Sequence, residues 1–341
     1  MSNLVTIFGG TGFVGRYVAR RMAQQGWRVR CACRRPNDSP FVRTYGVVGQ
    51  VEPVFCNIRD DDSVRDVTRG ADAVVNCVGI LVENGKQSFE SLQREGAGRI
   101  ARIATEEGVS QLIQVSAIGA DENSASSYAR TKALGEKAVQ EAFPKAVIYR
   151  PSLIFGHEDE FFNRFAAMAR MYPVLPVVGG SIMLQPVYVD DVARAIETAA
   201  LGRAAPGLYE LGGPDVKSFR TFMQEMLTVI YRRRPIIDTP MPVARVMGSA
   251  FDAVQRISKG LIQPPLTRDQ VENLARDNKV QSGVKTFSDL GIEPMATEAV
   301  LPDYLWRFRP SGQYAASNQT AQNLQGDEAV AKREGSRSSF S

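Results

Sequence analysis

Histidine is almost missing from this chain: His157 is the only one in 341 residues. The four cysteines, Cys31, Cys33, Cys56 and Cys77, all fall in the first quarter, inside runs that read as buried strands. Without ligand pairs at metal-site spacing, and with His157 far off in sequence, no metal site is expected. The thiols read as small core residues in a reducing compartment. Long apolar runs are missing too. The longest uncharged stretch, Met171 to Val189, is broken by Pro173, Pro176, Gly179, Gly180 and Pro186, which excludes a spanning helix. A net charge of +4, with basic residues scattered, does not imply nucleic acid. The opening Met1-Ser2-Asn3 leads directly into a strand-like run, so no secretory signal is expected and the chain reads as cytoplasmic, or at least unsecreted.

What is present is an alternation. Short β-branched runs at Val5 to Phe8, Arg28 to Cys33, Val51 to Phe55, Ala73 to Val78, Leu112 to Ser116 and Ala146 to Tyr149 are separated by helical periods. These include Arg16 to Gln25, Asp61 to Arg69, Ser88 to Glu107 and Ser127 to Ala142. Strands alternating with helices predict parallel βαβ units, hence an α/β fold with a doubly wound, Rossmann-type sheet over residues 1–150. Beyond Pro151 prolines and glycines become denser, although Asp190 to Leu201 and Ser218 to Tyr231 keep a helical period. Residues 151–309 are therefore expected to form a smaller α/β lobe interleaved with the first. Residues 310–341 are rich in Ser, Gln, Asn, Gly and charge, and predict a tail that stays disordered unless a partner holds it.

The first strand runs into "GGTGFVG", Gly9 to Gly15, and then into a helix. A helix N-terminus presents unpaired N–H groups and a partial positive charge, so it suits a phosphate. Gly9 permits the turn, Gly12 the approach of a pyrophosphate, and Gly15 close packing of helix on sheet. A P-loop would need Lys and then Ser or Thr after the last glycine, and Arg16-Tyr17 stand there instead. At the end of the second strand a carboxylate would select NAD through the ribose 2'-OH. Arg34 and Arg35 stand there, which favours the 2'-phosphate of NADP(H) unless both are merely solvated surface arginines.

A second constellation follows the fifth strand. In "YARTK", Tyr128 and Lys132 lie one turn apart on a helix face, and a lysine beside a phenol is expected to lower its pKa and make it a proton donor or acceptor. Ser116 could bond the same substrate oxygen. Together "GGTGFVG", "NCVG" (Asn76 to Gly79), "VSAIGA" (Val115 to Ala120), "YARTK", "YRPSLIFG" (Tyr149 to Gly156) and "QPVYVDDVARAI" (Gln185 to Ile196) resemble the extended and atypical short-chain dehydrogenase/reductase family up to about residue 310. Within it "YARTKALGEKAVQEAFPKA", "RPSLIFGHEDEFFNRFAAM", "PLTRDQVENLARDN" and "FSDLGIEP" are similar to the reductase-like accessory subunits of respiratory complex I, NADH:ubiquinone oxidoreductase.

That resemblance implies a tightly held NADPH without established turnover and a role in assembly or stability of the peripheral arm near the membrane. Other complex I subunits would be the partners, on the cytoplasmic face of a bacterial inner membrane or the matrix face of a mitochondrion. It places the pyrophosphate on Gly9, Thr11, Gly12, Phe13, Val14 and Gly15, and the 2'-phosphate on Arg34 and Arg35. Asn57 and Ile58 fall near the adenine, and Val78 and Gly79 beside the ribose. Ser116, Tyr128, Lys132, Pro151, Ser152 and Leu153 surround the nicotinamide. Asn57 departs from the family, many members of which carry an acid there. Because the family's lysine also bonds the nicotinamide ribose, the retained Ser116, Tyr128 and Lys132 do not by themselves demand turnover. The alternative is a free-standing NADP(H)-dependent reductase or epimerase using Tyr128 and Lys132; a nucleotide-sensing regulator is a third.

Two later features bear on partners. Pro242 to Ile262 spaces Val243, Val246, Met247, Ala250, Phe251, Val254, Ile257 and Leu261 as one helix face. That face is either core or a surface for a partner or the membrane interface, and the stretch from Tyr231 to Ile262 is the candidate membrane contact. The basic "YRRRP" before it, Tyr231 to Pro235, suits acidic protein or lipid headgroups unless it is a solvated turn. His157, in a loop after the sixth strand, is expected to be exposed and carries no catalytic role.

Overall fold

The computed structural model describes residues 3–247, 249, 268–273 and 276–314. The first half alternates β1 (Leu4–Phe8), α1 (Phe13–Gln24), β2 (Arg28–Cys33), β3 (Val51–Phe55), α2 (Asp61–Thr68), β4 (Ala73–Asn76), α3 (Glu95–Glu106), β5 (Gln111–Val115), α4 (Ser127–Ala142) and β6 (Val147–Pro151). The later half contributes β7 (Ile154–Phe155), α5 (Phe162–Met171), β8 (Leu175–Val178), β9 (Met183–Leu184), β10 (Val187–Tyr188), α6 (Val189–Ala200), β11 (Gly207–Leu211), β12 (Lys217–Ser218), α7 (Phe219–Val229) and β13 (Ile236–Thr239). A short helix Arg268–Asn273 and a helix Thr297–Leu305 follow.

Seven strands form one sheet in the order β11-β6-β5-β4-β1-β2-β3, with every pairing parallel. The order reverses at β1, so the chain winds out in both directions from that strand, as in a Rossmann-type fold. Burial on both faces explains why β1 reads as a continuous apolar run. Val5 and Ile7 join the cluster beneath α1 and α6, while Leu4 and Phe8 join the opposite one beneath α2 and α3. Between them the buried Thr6 hydroxyl donates to Val67 O at 2.6 Å, so its polarity is satisfied.

The seventh strand was not anticipated. β11 comes from beyond residue 200 and adds to β6, with Tyr209 opposite Tyr149. Three two-stranded pieces, β7 with β10, β8 with β13, and β9 with β12, surround a third apolar cluster. Its centre holds Phe155, Phe162, Phe219, Phe222 and Met226. Among the described residues no helix is long and apolar enough to cross a membrane. In the amphipathic stretch Ala244 is buried, whereas Val243, Val246 and Met247 are exposed. Ala250, Phe251, Val254, Ile257, Leu261 and residues 315–341 of the tail lie outside the described residues.

Candidate functional site

The site lies where β1 and β4 part, at the carboxyl ends of the parallel strands. Gly9 leaves β1 with φ +74°, a left-handed turn, and its N–H donates to Ala32 O of β2 at 2.9 Å. Gly12 caps α1, whose first N–H groups, those of Phe13, Val14 and Gly15, have no intrahelical acceptor. Gly15 has no room for a side chain: a Cβ would stand 2.2 Å from Gly9 O. The loop is thus a backbone cradle pressed against the start of α1, the shape and polarity a pyrophosphate requires.

Neighbouring strand ends converge on it. Cys56, just after β3, donates its N–H to Cys33 O, which sets Asn57 and Ile58 beside the end of β2. Asn57 is half-buried and its Oδ1 accepts from Arg59; Ile58 is buried against α3. Arg34 and Arg35 are exposed, and Arg35 lies 3.9 Å from Asp38, a loose surface pair that leaves both guanidiniums available to a phosphate. After β4, the buried Asn76 accepts from the Val78 N–H at 3.0 Å and donates to Gln114 at 2.8 Å, fixing the turn that carries Val78 and Gly79.

Ser116, Tyr128 and Lys132 complete the pocket side. Ser116 is 4% exposed, and among the described residues its Oγ has no hydrogen-bond partner, which leaves a buried hydroxyl with its bonding capacity unspent. Lys132 is buried, and its Nζ donates to Val115 O at 3.3 Å. A Cβ on Gly79 would come within 3.3 Å of that Nζ, so glycine there leaves room for the ammonium. Burial pulls the Lys132 pKa down to about 8, opposed chiefly by the charge of Glu136. Tyr128 is half-buried, edge-on to Phe89 at 5.8 Å.

One expectation fails here. Tyr128 is not made more acidic by its neighbour: burial, and then the charge of Asp269, push it up to about 12. Lys132 Nζ lies 5.9 Å from the ring centre and is turned to a backbone carbonyl instead of the phenol.

Two residues that sequence reasoning did not select shape the site. Asp269 accepts from Ser126 Oγ at 2.8 Å, from the Ser127 N–H at 2.7 Å and from the Tyr128 N–H at 3.4 Å, at the N-terminus of α4. Asn278 Oδ1 accepts from Ser152 Oγ at 2.5 Å and from the Leu153 N–H at 3.3 Å, next to Pro151 at the end of β6. The Ser152 hydroxyl is thereby committed. These contacts span well over a hundred residues and leave no local pattern to read.

The thiols take no part. Burial pushes Cys31 and Cys77 up to about 12 and Cys56 up to about 11, so they stay protonated and unreactive. His157 is exposed, its ring 5.4 Å from that of Tyr304 and tilted 40° to it.

The model of the NAD dependent epimerase/dehydratase family matches residues 5–212, a span that holds the glycine cradle, Ser116, Tyr128 and Lys132. The chain belongs to this family. A relative, the "NADH dehydrogenase [ubiquinone] 1 alpha subcomplex subunit 9, mitochondrial" of Arabidopsis thaliana, is 35% identical over 316 residues, 91% of this chain and 79% of that one. A "Ceramide reductase" of Caulobacter vibrioides is 32% identical over 253 residues, 73% of this chain and 78% of that one. Among solved structures, the Bordetella bronchiseptica enzyme WbmH in complex with NAD+ superimposes with a TM-score of 0.65 at 16% identity, covering 92% of this chain and all of that one, a likeness of fold. The resemblance to complex I accessory subunits thus extends past the family model's last residue, 212, into the segment carrying Asp269 and Asn278.

Proposed function

We propose that this epimerase/dehydratase-family chain is an accessory subunit of respiratory complex I that holds NADPH as a structural element of the peripheral arm. The observation that carries the reading is similarity to a complex I subunit over 91% of the chain. The cradle fits the nucleotide: the free amides of α1 and the Gly9 to Gly15 loop take the pyrophosphate, Arg34 and Arg35 the 2'-phosphate, and Asn57 and Ile58 the adenine side. Val78 and Gly79 line the ribose, where the Lys132 ammonium bonds hydroxyls, and Ser116 Oγ meets the nicotinamide end with Tyr128 and Pro151 to Leu153. Bound there, the nicotinamide supplies hydride chemistry. Residues 1–150 act as the nucleotide domain and 151–309 as the lobe offered to other subunits. The protein sits peripherally on the cytoplasmic face of a bacterial inner membrane or the matrix face in a mitochondrion.

Replacing Gly12 by valine, whose side chain fills the pyrophosphate approach, tests the reading in isolated membranes. Nucleotide content is expected to fall together with retention of the chain in complex I, because a ligand that binds only the folded form stabilises it by mass action. Full retention and normal stability of the complex without nucleotide would overturn the structural role.

The Ser116 Oγ, without a hydrogen-bond partner among the described residues, favours a second reading, a free-standing NADP(H)-dependent reductase. In that case Tyr128 moves the proton at the substrate oxygen, Ser116 orients that oxygen, and turnover disappears in Tyr128→Phe.

A further inference from the structure

The Asp269 carboxylate is seated where an external anion would bind a helix. Its oxygens take the N–H groups of Ser127 and Tyr128, the first two residues of α4, and the hydroxyl of the cap, Ser126. Ser126 Oγ in turn accepts from the Ala129 N–H at 3.2 Å. The turn that carries Tyr128 is therefore held from outside by a charged group 141 residues further on. The short helix Arg268–Asn273 that supplies it is itself anchored: Val271 is fully buried, and Glu272 pairs with Arg245 at 3.0 Å. Arg276 reaches Asp121 at 3.6 Å, and Asn278 holds Ser152 and Leu153. One segment thus fastens both flanks of the nicotinamide-side residues.

We propose that Asp269 is a positioning residue for Tyr128: its carboxylate pins the first turn of α4 and sets a negative charge at the turn that carries the phenol, so that the late segment turns a reductase-type Ser-Tyr-Lys set into a holder of nucleotide. The proposal rests on the nucleotide-holding reading above. Its physics is a negative charge at the turn that carries the phenol, which disfavours the tyrosinate that proton transfer requires. Among the described residues the charged groups facing Tyr128 are Asp269 and Lys132; the Phe89 ring packs edge-on to it. Burial and Asp269 together raise its pKa, the direction this arrangement demands.

The test uses the full chain with 13Cζ-labelled tyrosine, the Tyr128 signal being assigned by its loss in Tyr128→Phe. In the parent chain the Tyr128 signal is expected to keep its phenol position up to pH 11. In Asp269→Asn, which preserves size and an acceptor oxygen, the midpoint is expected to fall by about one pH unit, and in Asp269→Glu to return to the parent value. A midpoint unchanged in Asp269→Asn, with circular dichroism reporting a folded chain, overturns the proposal. Should Asp269→Asn not fold, the Asp269→Glu chain and the parent are compared across 50 mM to 1 M salt. A midpoint that falls as salt rises supports the charge effect, since screening weakens a charge and leaves burial unchanged, and a midpoint that does not move with salt in either chain overturns it. NADPH affinity of the parent chain is measured separately: absence of binding refutes the nucleotide-holding reading while leaving the Tyr128 titration to decide the role of Asp269.

Discussion

Lys132 carries an ammonium where its surroundings penalise it. It is 6% exposed, and its Nζ donates to Val115 O. Its pKa falls from 10.5 to about 8 because burial disfavours the charged form. Between those values the unfolded chain binds more protons than the folded one, so stability rises as pH increases from about 8 towards 10.5, and the penalty is complete below that window. The size is on the order of 3 kcal/mol at neutral pH. Lys132→Met is therefore expected to make the nucleotide-free chain more stable at pH 7 and to flatten its pH dependence, while abolishing NADPH binding. Urea unfolding at pH 7 and pH 10 checks this, and a less stable variant at pH 7 contradicts it. A cost retained in the folded state is what a ligand-binding residue shows, and in the proposed reading the nucleotide is the partner that offsets it.

At the scale of elements, α4 is the one that must be placed well, because it carries both Tyr128 and Lys132. Its position depends on a π-helical turn, Glu90–Arg94, that precedes α3 where a continuous helix over Ser88 to Glu107 was predicted. Gln93 O, within that turn, lies against α4, and Gly135 is the point of contact: a Cβ there would stand 2.1 Å from Gln93 O. The Gln93 side chain meanwhile accepts from Thr131 Oγ1 at 3.0 Å and donates to Ile80 O at 2.8 Å, tying the π turn to α4 and to the loop after Gly79. Two effects compete in Gly135→Ala. Helix propensity gains about 1 kcal/mol, whereas displacing a helix from a backbone carbonyl costs roughly 1–3 kcal/mol, or more when the carbonyl cannot move. The carbonyl belongs to a packed turn, so the clash is expected to win. Gly135→Ala should lower the urea midpoint and weaken NADPH binding together; a rise in stability would mean that α4 shifts freely.

At the scale of the molecule, the two halves share one sheet and cannot melt apart easily. β11 comes from the later half and completes the sheet beside β6, and α6 lies against α1. Arg21 of α1 reaches Asp190 at 2.5 Å and Glu197 at 3.0 Å on α6, and Gln25 bonds Glu197 at 2.6 Å. The helix that opens at the phosphate cradle is thus bolted to the later half. Saturating NADPH is expected to raise the melting of residues from both halves in one transition, by about 2.7 kcal/mol at a hundredfold excess over Kd. Calorimetry with hydrogen exchange would show it; protection confined to residues before 151 would mean that the halves are independent.

Much of this was legible locally. Arg28 to Cys33, Val51 to Phe55 and Ser127 to Ala142 have the bounds that periodicity predicts, and the cradle follows from three glycines between a strand and a helix. In these segments the physics is short in range: a chain buried on both faces needs apolar residues throughout, and a phosphate approaching backbone needs residues without Cβ. The place of β11, the π turn, the burial of Lys132 and the seating of Asp269 and Asn278 were decided only by tertiary structure. Each depends on groups far apart in sequence, and a pKa follows from what surrounds a group in space. Hence "YARTK" alone predicts an acidic tyrosine, and the folded chain, which buries Tyr128 and sets a carboxylate beside it, makes it a reluctant one.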